Sequence, residues 1–156
     1  MLVRAIPALP LSGSVASCDS MPLVIVFGKT KKEAEALEKT LTPVAWSADL
    51  RGRFAYVVTA EKDALANVEG AQATARILVV RPDVYGTQAK VLEQLPGDAD
   101  AKSIERALTK ALAAFTAESK DPRQHVLKGR REGIQWETEI PVTDPGPKGK
   151  GNRSGR

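Results

Sequence analysis

Cysteine and histidine, which carry out much of the covalent and metal chemistry of proteins, are scarce in this sequence of 156 residues. It contains one cysteine, Cys18, and one histidine, His125. An internal disulfide needs two thiols, a zinc site needs several cysteine or histidine ligands, and a catalytic triad needs a histidine with two partners. We therefore expect no catalytic residues, no metal and no cofactor. His125 is interpreted as a surface or edge-strand residue.

A second candidate site is the turn Gly28-Lys29-Thr30, which follows an apolar β-branched run and precedes a helical pattern, as in a nucleotide-binding P-loop. The full P-loop motif needs a glycine five residues before Gly28, where Leu23 stands, so no phosphate cradle is predicted. A simpler anion site stays open, because backbone amides at a helix N-terminus favour negative charge. The candidate residues are Lys29, Lys31 and Lys32. The alternative is a solvated basic turn, balanced in part by acidic residues of the following helix.

The net charge of +4 is concentrated near the C-terminus. Residues 1–119 contain 14 basic and 14 acidic side chains, whereas residues 120–156 contain 9 and 5. Residues 144–156 have no apolar side chain whose burial would offset the entropy cost of ordering, so we expect a disordered basic tail. Its cations are Lys148, Lys150, Arg153 and Arg156. The tail either solubilises the protein or binds nucleic acid or an anionic lipid surface in a weak, salt-sensitive way.

Residues 1–20 form a leader with three open interpretations. Val15-Ala16-Ser17-Cys18 resembles a bacterial lipobox, which predicts lipidation of Cys18 and a lipid-anchored or periplasmic protein. Alternatively the leader is disordered, or translation starts at Met21; either favours the cytoplasm. The sequence has no apolar run of the roughly 18 to 20 residues that a membrane-spanning helix needs, so no transmembrane segment is predicted.

Hydrophobic periodicity predicts an α/β domain over residues 21–119. Predicted strands cover residues 23–27, 53–59, 76–81 and 88–95, the last two as a hairpin with alternating Ala89, Val91, Glu93 and Leu95. Predicted helices start at Lys31 and end at Pro43, cover residues 61–68, and follow the apolar stripe from Ile104 to Phe115, with Asp98 or Asp100 as the cap. The order predicts a mixed four-stranded sheet with flanking helices.

This order of elements resembles the thioredoxin-like family over residues 22–117. The resemblance rests on a buried strand at Leu23 to Phe27 that leads into a long helix, and on a hairpin through Pro82-Asp83 before a final helix. It implies a three-layer α/β sandwich. It also implies a dithiol site between the first strand and its helix, facing a cis-proline just before the third strand.

The sequence departs from that family at both functional positions. Residues 28–33 contain no cysteine, and Gln72-Ala73-Thr74-Ala75 stands where the cis-proline is expected. Dithiol exchange needs a nucleophilic thiolate and a resolving thiol, so we expect a non-catalytic domain that binds a protein or peptide at the former active-site edge. Candidate partner-binding residues there are Thr74 and Ala75, with Trp46 either in the core or lining the groove. The alternative is a protein related to thiol-disulfide oxidoreductases that uses Cys18 or a partner's thiol.

Residues 120–143 form an extension that is interpreted as a β-hairpin. Its second strand is predicted from the alternating residues Ile134, Trp136, Thr138, Ile140 and Val142. Its first strand is predicted at residues 125–128. Two readings stay open: Trp136 and Ile140 dock on the sheet edge of this chain, or the strand adds to a partner's sheet with Trp136 as the anchor.

Overall fold

The computed structural model describes residues 16–61, 63–116 and 121–133, apart from the side chain of Pro122. The chain divides into two compact units, residues 1–120 and residues 121–156. Within the described part of the chain, no helix has the length and apolarity needed to cross a membrane.

The first unit is an α/β fold built on a mixed five-stranded sheet. Its strands are β1 (Leu23–Phe27), β2 (Ala55–Thr59), β3 (Val68–Glu69), β4 (Ile77–Pro82) and β5 (Ala89–Leu95), and its helices are α1 (Lys31–Ala45) and α2 (Ala101–Ala114). The strand order is β2-β1-β4-β5-β3. β1 is parallel to β2, β4 is antiparallel to β1 and to β5, and β3 is parallel to β5. The α/β class with flanking helices is confirmed, but the sheet has five strands and not the predicted four.

Strand β1 is central, and its apolar residues face two separate cores. Val24 and Val26 belong to the core beneath α1 and α2, which contribute Leu41 and Leu108. Leu23 and Ile25 belong to a second core on the opposite face of the sheet. A continuous apolar run is what a strand covered on both faces requires.

The second core is covered by an irregular segment, and the helix predicted over residues 61–68 is wrong. Residues 63–67 form turns, and Val68 pairs with Ala89 to make the additional strand β3. Ala64, Leu65 and Val68 have helical spacing, yet pairing with β5 buries Val68 as part of the sheet. Tertiary contacts therefore override the local pattern in a segment too short to form a stable helix alone.

Two boundary predictions also need correction. Helix α1 does not end at Pro43 but continues through it to Ala45. Pro43 is exposed, so water can satisfy the carbonyl that its missing N–H leaves without a donor. In β5 the predicted alternation is interrupted by a register shift opposite Val79 and Val80, which turns Leu92 toward the α1 and α2 core.

The second unit contains helix α3 (Pro122–Arg131) among its described residues. The carboxylate of Asp121 accepts hydrogen bonds from the N–H groups of Arg123, at 2.9 Å, and Gln124, at 3.4 Å, which caps the helix. His125 and its neighbours to Lys128 are therefore helical and not the first strand of a hairpin. The predicted second strand, with Trp136 and Ile140, lies outside the described residues.

Candidate functional site

The two segments that the sequence singles out, residues 28–33 and 72–75, lie together at the end of the sheet where β1 stops and β4 starts. The N–H of Phe27, at the end of β1, donates to the carbonyl of Arg76 at 2.7 Å, and the N–H of Gly28 donates to the carbonyl of Thr59 at 3.0 Å. The first turn of α1 and the loop before β4 therefore meet at this end of the sheet, which we call the α1 edge.

Gly28 has a packing role at the α1 edge. A Cβ at this position would collide with the backbone nitrogen of Ala34 and would lie 2.7 Å from the carbonyl oxygen of Thr30. The glycine thus permits the close approach of the strand end to the helix start. This accounts for the glycine without a phosphate cradle.

The first turn of α1 is closed by its own side chains. The Thr30 hydroxyl accepts from the N–H of Glu33 at 3.2 Å, and the Glu33 carboxylate accepts from the N–H of Lys29 at 2.9 Å. This reciprocal arrangement is a capping box displaced by one residue, and it satisfies two amides that would otherwise lack partners. Glu33 is therefore a structural carboxylate.

Glu33 also pairs with a buried arginine from the opposite segment. Only 8% of Arg76 is exposed, and its Nε lies 3.3 Å from Oε1 of Glu33. A terminal guanidinium nitrogen donates to the carbonyls of Ala73, at 3.0 Å, and Ala75, at 2.7 Å. The guanidinium carbon lies 5.6 Å from the centre of the Phe27 ring, within the range of a cation–π contact. One side chain thus ties the loop before β4 to α1 and to β1.

The Glu33 and Arg76 side chains are held in a network of hydrogen bonds and one ion pair. Both side chains are engaged in hydrogen bonds, and an arginine does not lose its proton at physiological pH. No peptide bond among the described residues is cis, so the peptide bond before Arg76 is trans.

The exposed groups around this pair include several of the predicted site residues. Thr74 is exposed, whereas Ala75 is only 3% exposed and offers a partner little side-chain surface. Lys29, Lys31 and Lys32 are all exposed on the adjoining turn. The α1 edge therefore presents three cations next to a threonine, and the acid nearest in sequence, Glu33, is already paired.

Trp46 lies elsewhere and is not a core residue. It is 50% exposed and caps the C-terminal end of α1. The 15 residues of α1 separate it from Lys31 by about 22 Å along the helix axis. Trp46 therefore does not line the α1 edge.

Cys18 also lies away from the α1 edge. Its thiol is free and exposed, and it precedes β1, so the five residues of β1, about 16 Å, separate it from Gly28. Its neighbours Ala16 and Ser17 are both buried, and Ala16 belongs to the second core. The N–H of Met21 donates to the carbonyl of Ala16 at 2.9 Å, which fixes this segment against the start of the sheet.

A buried phenol lies in the α1 and α2 core. The hydroxyl of Tyr56 has no hydrogen-bond partner among the described residues, and burial raises its pKa to about 12. A phenol that holds its proton this tightly is not a base at neutral pH. Tyr56 is therefore a packing residue.

Glu33 and Arg76 are the site residues that sequence reasoning missed. Their signals were present: an arginine opens an otherwise apolar strand, and a glutamate stands three residues after a threonine at a helix start. Neither signal specifies that the two side chains meet. The anion candidates Lys148, Lys150, Arg153 and Arg156 lie outside the described residues, as do Trp136 and Ile140. Within the ranges described, no group of three or more histidine, cysteine, aspartate or glutamate side chains is arranged to hold a metal ion.

Comparisons of the chain with protein-family models, with curated proteins and with solved structures find no match. The functional argument therefore depends on the residues of this chain.

Proposed function

We propose that residues 21–119 are a thioredoxin-like domain without dithiol activity, which binds a protein or peptide at the α1 edge. The carrying observation is the Glu33–Arg76 ion pair at the junction of α1 and β4. The resemblance stated above implies that the reactive groups of the family stand at this junction. Here the junction holds a charged pair that cross-links the two segments and carries out no chemistry.

The geometry supports binding in two ways. First, the loop at residues 72–75 is held by Arg76, and by the N–H of Gln72, which donates to the side chain of Gln94 at 3.0 Å. A preorganised loop lowers the entropy cost of association. Second, the lysines of the adjoining turn favour an acidic partner segment, since complementary charge increases both encounter rate and selectivity.

The position of Cys18 argues against the redox alternative. An enzyme of the implied type needs its thiol at the junction of the first strand and its helix, whereas Cys18 stands at the other end of β1. It is also the only thiol in the sequence, so an exchange reaction would need a second thiol from a partner. Insulin reduction by the wild-type chain and by the Cys18→Ser variant tests this alternative, and turnover that depends on Cys18 would support it.

The binding proposal is tested by charge reversal at the α1 edge. The double variant Lys31→Glu/Lys32→Glu should lose its partner in affinity capture. Acidic residues in the first turn of a helix are favourable, so the reversal should leave the fold intact. The matched control is Lys39→Glu/Lys90→Glu, which reverses two exposed lysines: Lys39 lies about two turns along α1 from Lys31, and Lys90 pairs with Arg81 at the other end of β4 from Arg76. An identical set of captured proteins for both variants would contradict the proposal.

The basic tail offers a different binding class, nucleic acid, and remains a prediction. Salt-titrated RNA binding should weaken when residues 144–156 are removed. RNA binding that survives this deletion but is lost in the Lys31→Glu/Lys32→Glu variant would place an anion site at the α1 edge and contradict a protein partner there.

A further inference from the structure

The two edge strands of the sheet differ in how well they are protected. β3 has only two residues, which makes it a poor template for another strand. β2 has five, Ala55–Thr59, and none of them is charged or a proline. Natural proteins usually protect such an edge with charges, prolines or bulges within the strand. Among the described residues, β2 pairs only with β1.

The backbone groups on the open side of β2 can be identified from its register with β1. The N–H of Ala55 donates to the carbonyl of Pro22, and the carbonyl of Thr59 accepts from the N–H of Gly28, so Ala55 and Thr59 face β1. Alternate residues of a strand direct their N–H and C=O groups to opposite sides. Tyr56 and Val58 therefore direct both groups away from β1, and no described residue pairs with them.

The charges that flank β2 are complementary under a twofold axis. Arg51 and Arg53 precede the strand, Glu61 and Asp63 follow it, and all four are exposed. If two copies pair antiparallel with Val57 opposite Val57, the Arg53 end of one β2 strand lies beside the Glu61 end of the other, two residues beyond the paired segment on each side. The same register places Tyr56 opposite Val58 of the second copy, which matches the free backbone groups of each. The flanking charges thus favour antiparallel pairing, and the free backbone groups of Tyr56 and Val58 set its register.

We propose that two copies of this chain associate through antiparallel pairing of their β2 strands about Val57, which makes one continuous ten-stranded sheet. This interface goes beyond the proposed partner binding and does not depend on it. Because a five-residue strand pair forms a small interface, we expect a weak, concentration-dependent dimer.

Sedimentation equilibrium of the full chain, from about 10 to about 500 µM, tests the charge pairing in the range where small interfaces associate. Each single reversal, Arg53→Glu or Glu61→Arg, changes two symmetry-related pairs and should raise the dimer dissociation constant about tenfold. The combined Arg53→Glu/Glu61→Arg variant restores opposite charges and should return the constant to within about threefold of wild type. A wild-type chain that stays monomeric throughout, or a double variant that dimerises no better than the singles, would overturn the proposal.

Two further measurements test the backbone pairing. Val58→Pro removes an outward N–H and should abolish the dimer, whereas Val58→Ala retains that N–H and should dimerise. Hydrogen exchange of the Tyr56 and Val58 amides should be fast in dilute protein and slow in concentrated protein. Protection that does not change with concentration would show that the open side of β2 is covered within the monomer, and it would refute the proposed interface.

Discussion

Replacing Arg76 with alanine tests the cross-link at the α1 edge. The variant loses the hydrogen bond to the Ala75 carbonyl, which lies in a buried environment, and the bond to the Ala73 carbonyl, which belongs to an exposed residue. It also loses the contact with Glu33 and the position above the Phe27 ring. Each of these contacts contributes to the free energy of unfolding by a different amount.

The expected loss follows from the exposure of each partner. A buried hydrogen bond from a charged donor contributes about 1.5 to 3 kcal/mol, and the partly buried bond to Ala73 contributes less because water can partly replace it. The cation–π contact adds about 0.5 to 1 kcal/mol. The Glu33 side chain is 36% exposed and stays hydrated, so the ion pair adds no more than about 1 kcal/mol. We therefore expect Arg76→Ala to lower the free energy of unfolding by about 3 to 4 kcal/mol.

Urea unfolding followed by circular dichroism measures this loss. With a slope of about 1.5 kcal/mol per molar urea, the unfolding midpoint should fall by about 2 M. The matched control is Arg106→Ala on the exposed side of α2, which should change stability by no more than about 0.5 kcal/mol. In a double-mutant cycle with Glu33→Gln, the coupling to Arg76 should be about 1 kcal/mol. An Arg76→Ala loss below about 1 kcal/mol would refute the assignment of a cross-linking role.

Three further predictions concern the core. Gly28→Ala should lower stability by about 3 kcal/mol or more in the same urea assay, because the added Cβ meets the Ala34 backbone; a loss below about 1 kcal/mol would contradict this. Tyr56→Phe should be neutral or stabilising by up to about 1 kcal/mol at pH 7. Burial raises the pKa of Tyr56 to about 12 in the folded chain, so the free energy of unfolding of the wild type should be constant below about pH 10 and should fall as the pH rises toward 12. The Tyr56→Phe variant should lack this fall in urea titrations at these pH values. An equal fall in the variant would contradict the burial of the phenol. Ala16→Asp should lower the free energy of unfolding by about 3 kcal/mol, whereas Cys18→Ser, at an exposed thiol, should leave the melting temperature unchanged; equal effects would show that Ala16 is not in the core.

The long periodic elements of the fold could be predicted from the sequence. β1 is a continuous apolar run, and α2 has a clear stripe that includes Ile104 and Leu108, so burial and local pattern agree. Asp100, one of the two proposed caps, accepts from the N–H of Ser103 at 2.8 Å, and hydrogen bonding to Ser103 lowers the pKa of its carboxyl. Where propensity and tertiary contacts point the same way, the pattern is sufficient.

The sequence-based predictions were wrong or incomplete in segments whose structure depends on long-range contacts. Val68 forms a strand because it pairs with Ala89 of β5, and no local pattern in residues 61–68 predicts this pairing. The large apolar side chain of Trp46 suggests a core residue, yet its position at the end of α1 leaves it half exposed. The Glu33–Arg76 pair joins residues 43 positions apart, which a pattern of local spacing does not specify. Such pairings depend on topology, and a single sequence reveals topology only through element order.

Site-specific photo-crosslinking at Thr74 in cells is the most direct test of the central claim that the α1 edge binds a protein partner. A benzophenone side chain at position 74 would replace an exposed threonine beside the Glu33–Arg76 pair, and one at Thr109, an exposed threonine on α2, serves as the matched control. The proposed function predicts a protein adduct at position 74 that is absent at position 109 and lost in the Lys31→Glu/Lys32→Glu background. Equal adducts at both positions, or none at position 74, would contradict it.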